Sequence, residues 1–434
     1  MFSFLRNPIK EEVKLYMTNF KRQIFSVATA GVMIANIATP AFATTIEISG
    51  NGAGSANYAT VNTTNTTTVT QNNTANVTNT VNTNADTGDN KAKYNTGGDV
   101  GIQTGDAKVD VNVANDLNKN IASVDCCVAG DTSVKISGNG ANSDNTVALT
   151  NNNTNLVTQN NTANVSNDID ADAETGENKA SSNTGGDVVI MTGNAKVDVD
   201  VSTLANVNSA RIGGGVTPTP SASFWIVGNG AGSTNYIDAT LNNTNLVTQN
   251  NYADISNDID ADAETGENKA KFNTGGEVAI LTGDAETNVD VDNTVNFNFA
   301  DLNCGCIFDV LAKIAGNGAS EDSHEEQCTW WDWICEEQDQ NVITLDLVNF
   351  QAADQGNVAN LSNDVDDESE TGENKASSNT GDVDHESDPA IVTGDAESNN
   401  SISNSGNVNS LGEMPNVEFS FNFAALWAFF GMHS

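Results

Sequence analysis

Basic side chains are scarce in this sequence. Against 58 Asp and Glu stand 17 Lys and Arg, for a net charge of −41. Arg211 is the single arginine beyond residue 43. Nucleic-acid binders carry clustered Lys and Arg, and anionic lipid attracts the same residues. Neither nucleic acid nor an anionic membrane is therefore an expected partner. The three histidines, His324, His385 and His433, all lie beyond residue 320. With no G-x-S-x-G and no phosphate-binding Gly loop opening a helix, no nucleophile or nucleotide site is indicated. The expectation is a protein that is not an enzyme.

Aromatic residues are few as well, at 6%, and the stretch from Ile136 to Ile212 has no Phe, Tyr or Trp at all. Apolar residues at helical spacing are almost absent. What is present is repetition. Gly-Asn-Gly begins at Gly50, Gly138, Gly228 and Gly316, in steps of 88, 90 and 88 residues. A "TGENKA"-type hexamer begins at Thr87, Thr175, Thr265 and Thr371. Inside three of the copies Thr-Gly recurs at a shorter beat, as at Thr175, Thr184 and Thr192. Gly supplies the positive φ of tight turns and Asn or Asp tolerates it. Between the turns the pattern alternates: "KVDVDV" puts Val197, Val199 and Val201 on one face and two Asp on the other, a half-buried strand.

Two all-β architectures fit four repeats of about 88 residues. One is a repetitive β-solenoid or β-helix; the alternative is tandem β-sandwich domains. A sandwich core relies on large side chains from two facing sheets. A solenoid manages with Val, Ile, Ala and stacked Asn or Thr, because each coil buries a thin core against the next. The composition favours the solenoid.

Fifteen residues, "SNDIDADAETGENKA", occur identically from Ser166 and from Ser256. Asp168, Asp170, Asp172 and Glu174 alternate and so share one strand face, as do Asp258, Asp260, Asp262 and Glu264, and Asp364, Asp366, Glu368 and Glu370. Clustered carboxylates are the ligands Ca²⁺ takes, so these twelve residues are candidate Ca²⁺ ligands. The other reading is a solvated strand face, which the first copy supports by carrying Thr80, Asn82, Asn84 and Asp86 there. No acid is set in an apolar pocket, as a glycosidase pair requires.

The six cysteines, Cys126, Cys127, Cys304, Cys306, Cys328 and Cys335, are disulfide candidates of open connectivity. The fourth copy has an insert, 321–340, in which Trp330, Trp331 and Trp333 lie between Cys328 and Cys335. Aromatics clustered on a loop suggest a ligand site for a carbohydrate or protein; the alternative is a hydrophobic plug on the solenoid. The tail 411–434 is strongly apolar and reads as a cap or an anchor. At the other end, Lys21-Arg22, an apolar run from Ile24 to Ile37 and Ala41-Phe42-Ala43 form the pattern of a secretory signal over 1–43, with Met1 or Met17 as the start.

The order "GNGA…TQNN…TG[DE]NKA…NTGG…TGDA" resembles the secreted Asn/Thr-rich repeat surface proteins of small-genome bacteria. The resemblance spans nearly all of the chain beyond residue 43 and implies a β-solenoid-like fold, but no activity. The expected organisation is a signal peptide (1–43), repeat 1 (44–125), repeat 2 (126–212), a linker (213–223) dividing the copies two and two, repeat 3 (224–306), repeat 4 (307–410) and the apolar end (411–434). The expected function is that of a secreted or cell-surface structural or adhesive protein presenting a stiff β rod. Its partners would be the cell envelope, a neighbouring cell or further copies of itself. A binding protein using the Trp loop, with Ca²⁺-stabilised acidic strands, is the alternative.

Overall fold

The computed structural model describes residues 20–37, 44–124, 132–213, 221–303, 309–318, 341–380 and 390–412. Among these there is no helix. Strand β1 spans Phe20–Ile37. The first copy then contributes β2 (Thr44–Ser49), β3 (Ala56–Asp86), β4 (Lys91–Lys93), β5 (Val100–Gln103) and β6 (Ala107–Val124). The second repeats the set as β7 (Thr132–Ser137), β8 (Asp144–Glu174), β9 (Lys179–Ser181), β10 (Val188–Met191) and β11 (Ala195–Gly213). In the third these become β12 (Ser221–Val227), β13 (Thr234–Glu264), β14 (Lys269–Lys271), β15 (Val278–Leu281) and β16 (Ala285–Asn303). The fourth has β17 (Asp309–Ala315), β18 (Asn341–Glu370), β19 (Lys375–Ser377), β20 (Ala390–Val392) and β21 (Ala396–Leu411).

Every strand pairs in parallel with its counterpart in the next copy, residue for residue. The repeats therefore form a β-solenoid in which one whole copy is one coil. Five parallel sheets run through the stack, one for each side of the coil. The long strand forms one flank. The strand that follows Thr104, Thr192 or Thr282, together with the opening strand of the next copy, returns along the other. The two flanks are held face to face by the buried cores between them. The short Thr-Gly beat marks the corners at one end of the coil, where Thr96, Thr184, Thr274 and Thr380 stack as isolated bridges. These corners demand glycine: a Cβ on Gly176 would collide with the carbonyl oxygen of Gly266 in the coil above.

Alternation decides which side chains enter the coil. In β8, Val147, Leu149, Val157, Val165, Ile169, Ala171 and Ala173 point inward and are buried, while Asp168, Asp170 and Asp172 point out. On the opposite flank Val197, Val199 and Val201 close over Ile169 and Ala171 in a single cluster with their counterparts from neighbouring coils. Phe224 and Ile226 fill the other end against Leu149 and Ile237. Among the described residues the largest fully buried side chain is Phe224, so the core is thin, as the composition implies.

The remaining inward positions are amides. Asn57, Asn145, Asn235 and Asn341 form one ladder, each side chain bonded to the next at 2.6–2.9 Å. Gln71, Gln159, Gln249 and Gln355 form another at 2.7–2.8 Å. A buried amide with no partner costs about 1–3 kcal/mol. Stacking each amide on its own counterpart supplies the partner along these two ladders and removes that penalty there, whereas Asn118 Oδ1, Asn155 Oδ1 and Asn245 Nδ2 are left without one.

Of the stretch 213–223, residues 214–220 lie outside the described residues. Gly213 belongs to β11 and Ser221 opens β12, and both strands pair with the coils below and above. Along its stacking axis a single chain is short. The 31-residue strands have a contour of about 100 Å, while four coils and β1 stack to only about 20 Å. It is a plate, long in the strand direction. The apolar run from Ile24 to Ile37 lies in strand β1, parallel to β6.

Candidate functional site

The outward face of the long flank is a grid. Its columns are fixed by register: Asp168–Asp258–Asp364, Asp170–Asp260–Asp366, Asp172–Asp262–Glu368 and Glu174–Glu264–Glu370. Below them in the first coil lie Thr80, Asn82, Asn84 and Asp86. The structure thus brings all twelve predicted acids onto one surface. Carboxylates about 4.8 Å apart repel by about 1 kcal/mol even in water.

The repulsion is visible in their protonation. Burial, then the charges of Asp86, Glu177, Asp89 and Glu267, raise Glu174 to about 7. Glu264 also rises to about 7, through burial and then Glu174, Glu267, Glu370 and Glu177. Burial followed by Asp260, Asp172, Glu368 and Asp366 takes Asp262 to about 6. Glu264 Oε1 is buried without a hydrogen-bond partner, as befits a carboxyl that readily holds a proton. In the first coil the amides do the reverse: Asn82 Nδ2 donates to Asp170 Oδ2 at 2.8 Å.

As a Ca²⁺ site the grid fits poorly. Ca²⁺ needs six to eight oxygens converging on one point. Here the side chains rise from a sheet about 6.7 Å apart along a strand and about 4.8 Å apart between strands. Among the described residues no group of three or more His, Cys, Asp or Glu side chains could hold a metal ion. The geometry suits a diffuse atmosphere of cations rather than a coordinated ion.

A second charged feature lies on the outside of the return flank. Lys108 bridges Asp110 and Asp198, and Lys196 bridges Asp198 at 3.1 Å and Glu286 at 2.7 Å. Burial would raise Asp198, but hydrogen bonds from Lys108, Asn288 and Lys196 outweigh it and hold the carboxyl at about 2. Beside this chain of charges runs an open groove of about 480 Å³ lined by Asp110, Asn112, Asp200, Asn288 and Asp290. Burial, then Asp290 and Asp292, raises Asp200. The groove crosses the coils on the outer surface and is anionic. Nothing in it pairs a nucleophile with a base.

Trp330, Trp331 and Trp333, the six cysteines and all three histidines lie outside the described residues. The register does fix where the Trp-bearing insert leaves the stack. Asn235 and Asn341 are paired across 106 residues, where Asn57 and Asn145 are separated by 88. The additional residues fall between Gly318 and Asn341, at the corner that leads into the long strand of the fourth coil.

The inward amide ladders are the feature least evident from residue types. Their signal is their fixed place in every copy, as in "LVTQNN" at Leu156 and Leu246. No protein-family model, no curated protein and no solved structure matches this chain.

Proposed function

We propose that this chain is a secreted, cell-surface structural or adhesive protein that presents a stiff β surface and assembles with further copies of itself. The supporting observation is the long flank. Its outer face repeats Thr, Asn and acids in strict register over four coils, with chemistry spread evenly over a broad face. Such a face suits many weak contacts to a surface better than the capture of one small molecule. The high negative charge keeps it soluble and away from anionic lipid.

An antibody to the grid, applied to intact and to permeabilised cells of the source organism, tests the reading. Labelling of intact cells supports it. Label confined to permeabilised cells contradicts it.

The place of the insert favours a second reading, that of a binding protein using Trp330, Trp331 and Trp333. An insertion at a corner of the last coil leaves the stacked register on either side of it intact, with Asn229 bonded to Asn317 before it and Asn235 to Asn341 after it. Loss of cell or glycan binding in Trp331→Ala, with strand content unchanged, would single out this reading.

A further inference from the structure

The two ends of the stack are unlike. Among the described residues, β17 to β21 at the fourth coil each have one neighbour. At the first coil β2, β3, β4 and β5 likewise have one, whereas β6 also carries β1. Edges of this kind are templates for further strands.

Strand β1 fills its place incompletely. The return flank has an inward ladder of Asn118, Asn206, Asn296 and Asn407, bonded side chain to side chain at 2.9–3.0 Å. At each step the lower coil donates Nδ2 and the upper accepts on Oδ1. Beneath Asn118 stands Gly31, between the pairs Ala30–Leu117 and Val32–Lys119, and it has no side-chain amide to give. Asn118 is 0% exposed, and its Oδ1 has no hydrogen-bond partner. At the far end Asn407 accepts from Asn296 and donates to nothing among the described residues. The ladder of Asn120, Asn208, Asn298 and Asn409 also ends at β1, with Met33 beneath Asn120, but there Asn120 Oδ1 accepts from Asn73 Nδ2 at 2.9 Å.

The charges match too. Coils two, three and four stack acid on acid along the grid. The first coil offers Thr80, Asn82 and Asn84 in three of the four columns, and its amide already caps Asp170. A fourth coil laid beneath it would set Asp364, Asp366 and Glu368 against these neutral side chains.

We infer that the first-coil end is a docking site for the fourth-coil end of a second copy, which takes the place of β1 and continues the register of the stack, with Asn407 of one copy donating to Asn118 Oδ1 of the next. This deepens the self-assembly part of the function proposed above and rests on that part alone. Repetition of the contact turns plates into a filament whose axis is the stacking direction.

The test uses the full chain. Ala28→Pro with Ala35→Pro removes two ladder donors from β1 and unseats it. Sedimentation velocity is expected to show the unsubstituted chain as monomer and the double-proline chain as linear polymers, visible by electron microscopy. Asn407→Ala in the double-proline background is expected to return the protein to monomer. Circular dichroism checks that strand content is retained in each. A mixture of Asn82→Cys and Asp366→Cys chains, both with the two prolines, should yield the 82–366 disulfide peptide by mass spectrometry. Gly31→Asn, which lets β1 supply the missing amide, should raise the melting temperature and suppress polymer. A folded double-proline chain that stays monomeric overturns the inference, as does polymer indifferent to Asn407→Ala and free of the 82–366 link. Surface labelling is independent of these results: a monomeric surface protein sinks this inference alone, and a polymer confined within the cell sinks only the surface reading.

Discussion

Gln249 donates its Nε2 to the Oε1 of Gln159 at 2.8 Å, and Gln159 in turn donates to Gln71 at 2.7 Å. The first pair is 90 residues apart in the chain and the second 88. Gln159 is fully buried and also donates to the carbonyl oxygen of Ser209 on the opposite flank. It ties three coils and both flanks at one point. Gln159→Leu would leave Gln71 Oε1 without its donor and one N–H of Gln249 Nε2 without an acceptor, the other keeping its bond to Phe299 O. Thermal or denaturant unfolding should show a loss of about 2–4 kcal/mol, since each orphaned buried group costs about 1–3 kcal/mol. An outward-facing neighbour on the same strand, changed as Thr158→Ser, should cost less than about 0.5 kcal/mol.

The carboxylate grid predicts the pH dependence of stability. Glu174 and Glu264 titrate near 7 in the folded chain, against 4.5 for an ordinary Glu. Asp262 moves from 3.8 to about 6. Between those values the folded state holds more protons than the unfolded state, so stability falls as pH rises. The stabilisation is complete below about pH 4 and is lost as pH climbs through about 7. Melting temperatures measured from pH 4.5 to 8 should therefore decline, then level off. Glu174→Gln with Glu264→Gln should flatten the slope.

Cations should act on the same grid without occupying a site. Because the acids do not converge, Ca²⁺, Mg²⁺ and NaCl should each raise the melting temperature at pH 8 by screening, with no saturation at a defined stoichiometry. Isothermal titration with Ca²⁺ is expected to give no stoichiometric binding. A saturable Ca²⁺ isotherm that disappears in Asp260→Asn would restore a discrete site.

Corner glycines carry the close approach of one coil to the next. Gly176→Ala forces a methyl group onto the backbone of Gly266. The corner must open, and hydrogen exchange should rise at Thr175 and Glu177, whose amides donate to Glu264 and Gly266. Exchange at Val199 and Val201, deep in the return flank, should change little.

Much of this fold is legible in the residues alone. "KVDVDV" signals a strand with Val197, Val199 and Val201 inward, and all three are buried. The Thr-Gly pairs signal turns, and they are the corners. Two features are hidden. A polar residue in an alternating pattern ordinarily faces water, yet Asn155, Gln159 and Asn167 face the core. Their partners are their own counterparts 88 or 90 residues away, which local patterning cannot register. Strand β1 is hidden as well. Nothing in its apolar run gives away the pairing with β6, which belongs to the assembled stack. The acids stand out by their alternation, but their failure to converge follows from the flat sheet beneath them, a property of the assembled stack.

The entire fold depends on one copy forming one coil in register with the next. Nitroxide labels at Thr158→Cys and Thr248→Cys, which are paired across β8 and β13, report on this directly. The backbones there should lie about 4.8 Å apart, so the electron paramagnetic resonance spectrum of the doubly labelled chain should be strongly broadened relative to the two single labels. A spectrum equal to the sum of the single labels would place the two copies apart as separate modules and contradict the stacked coil.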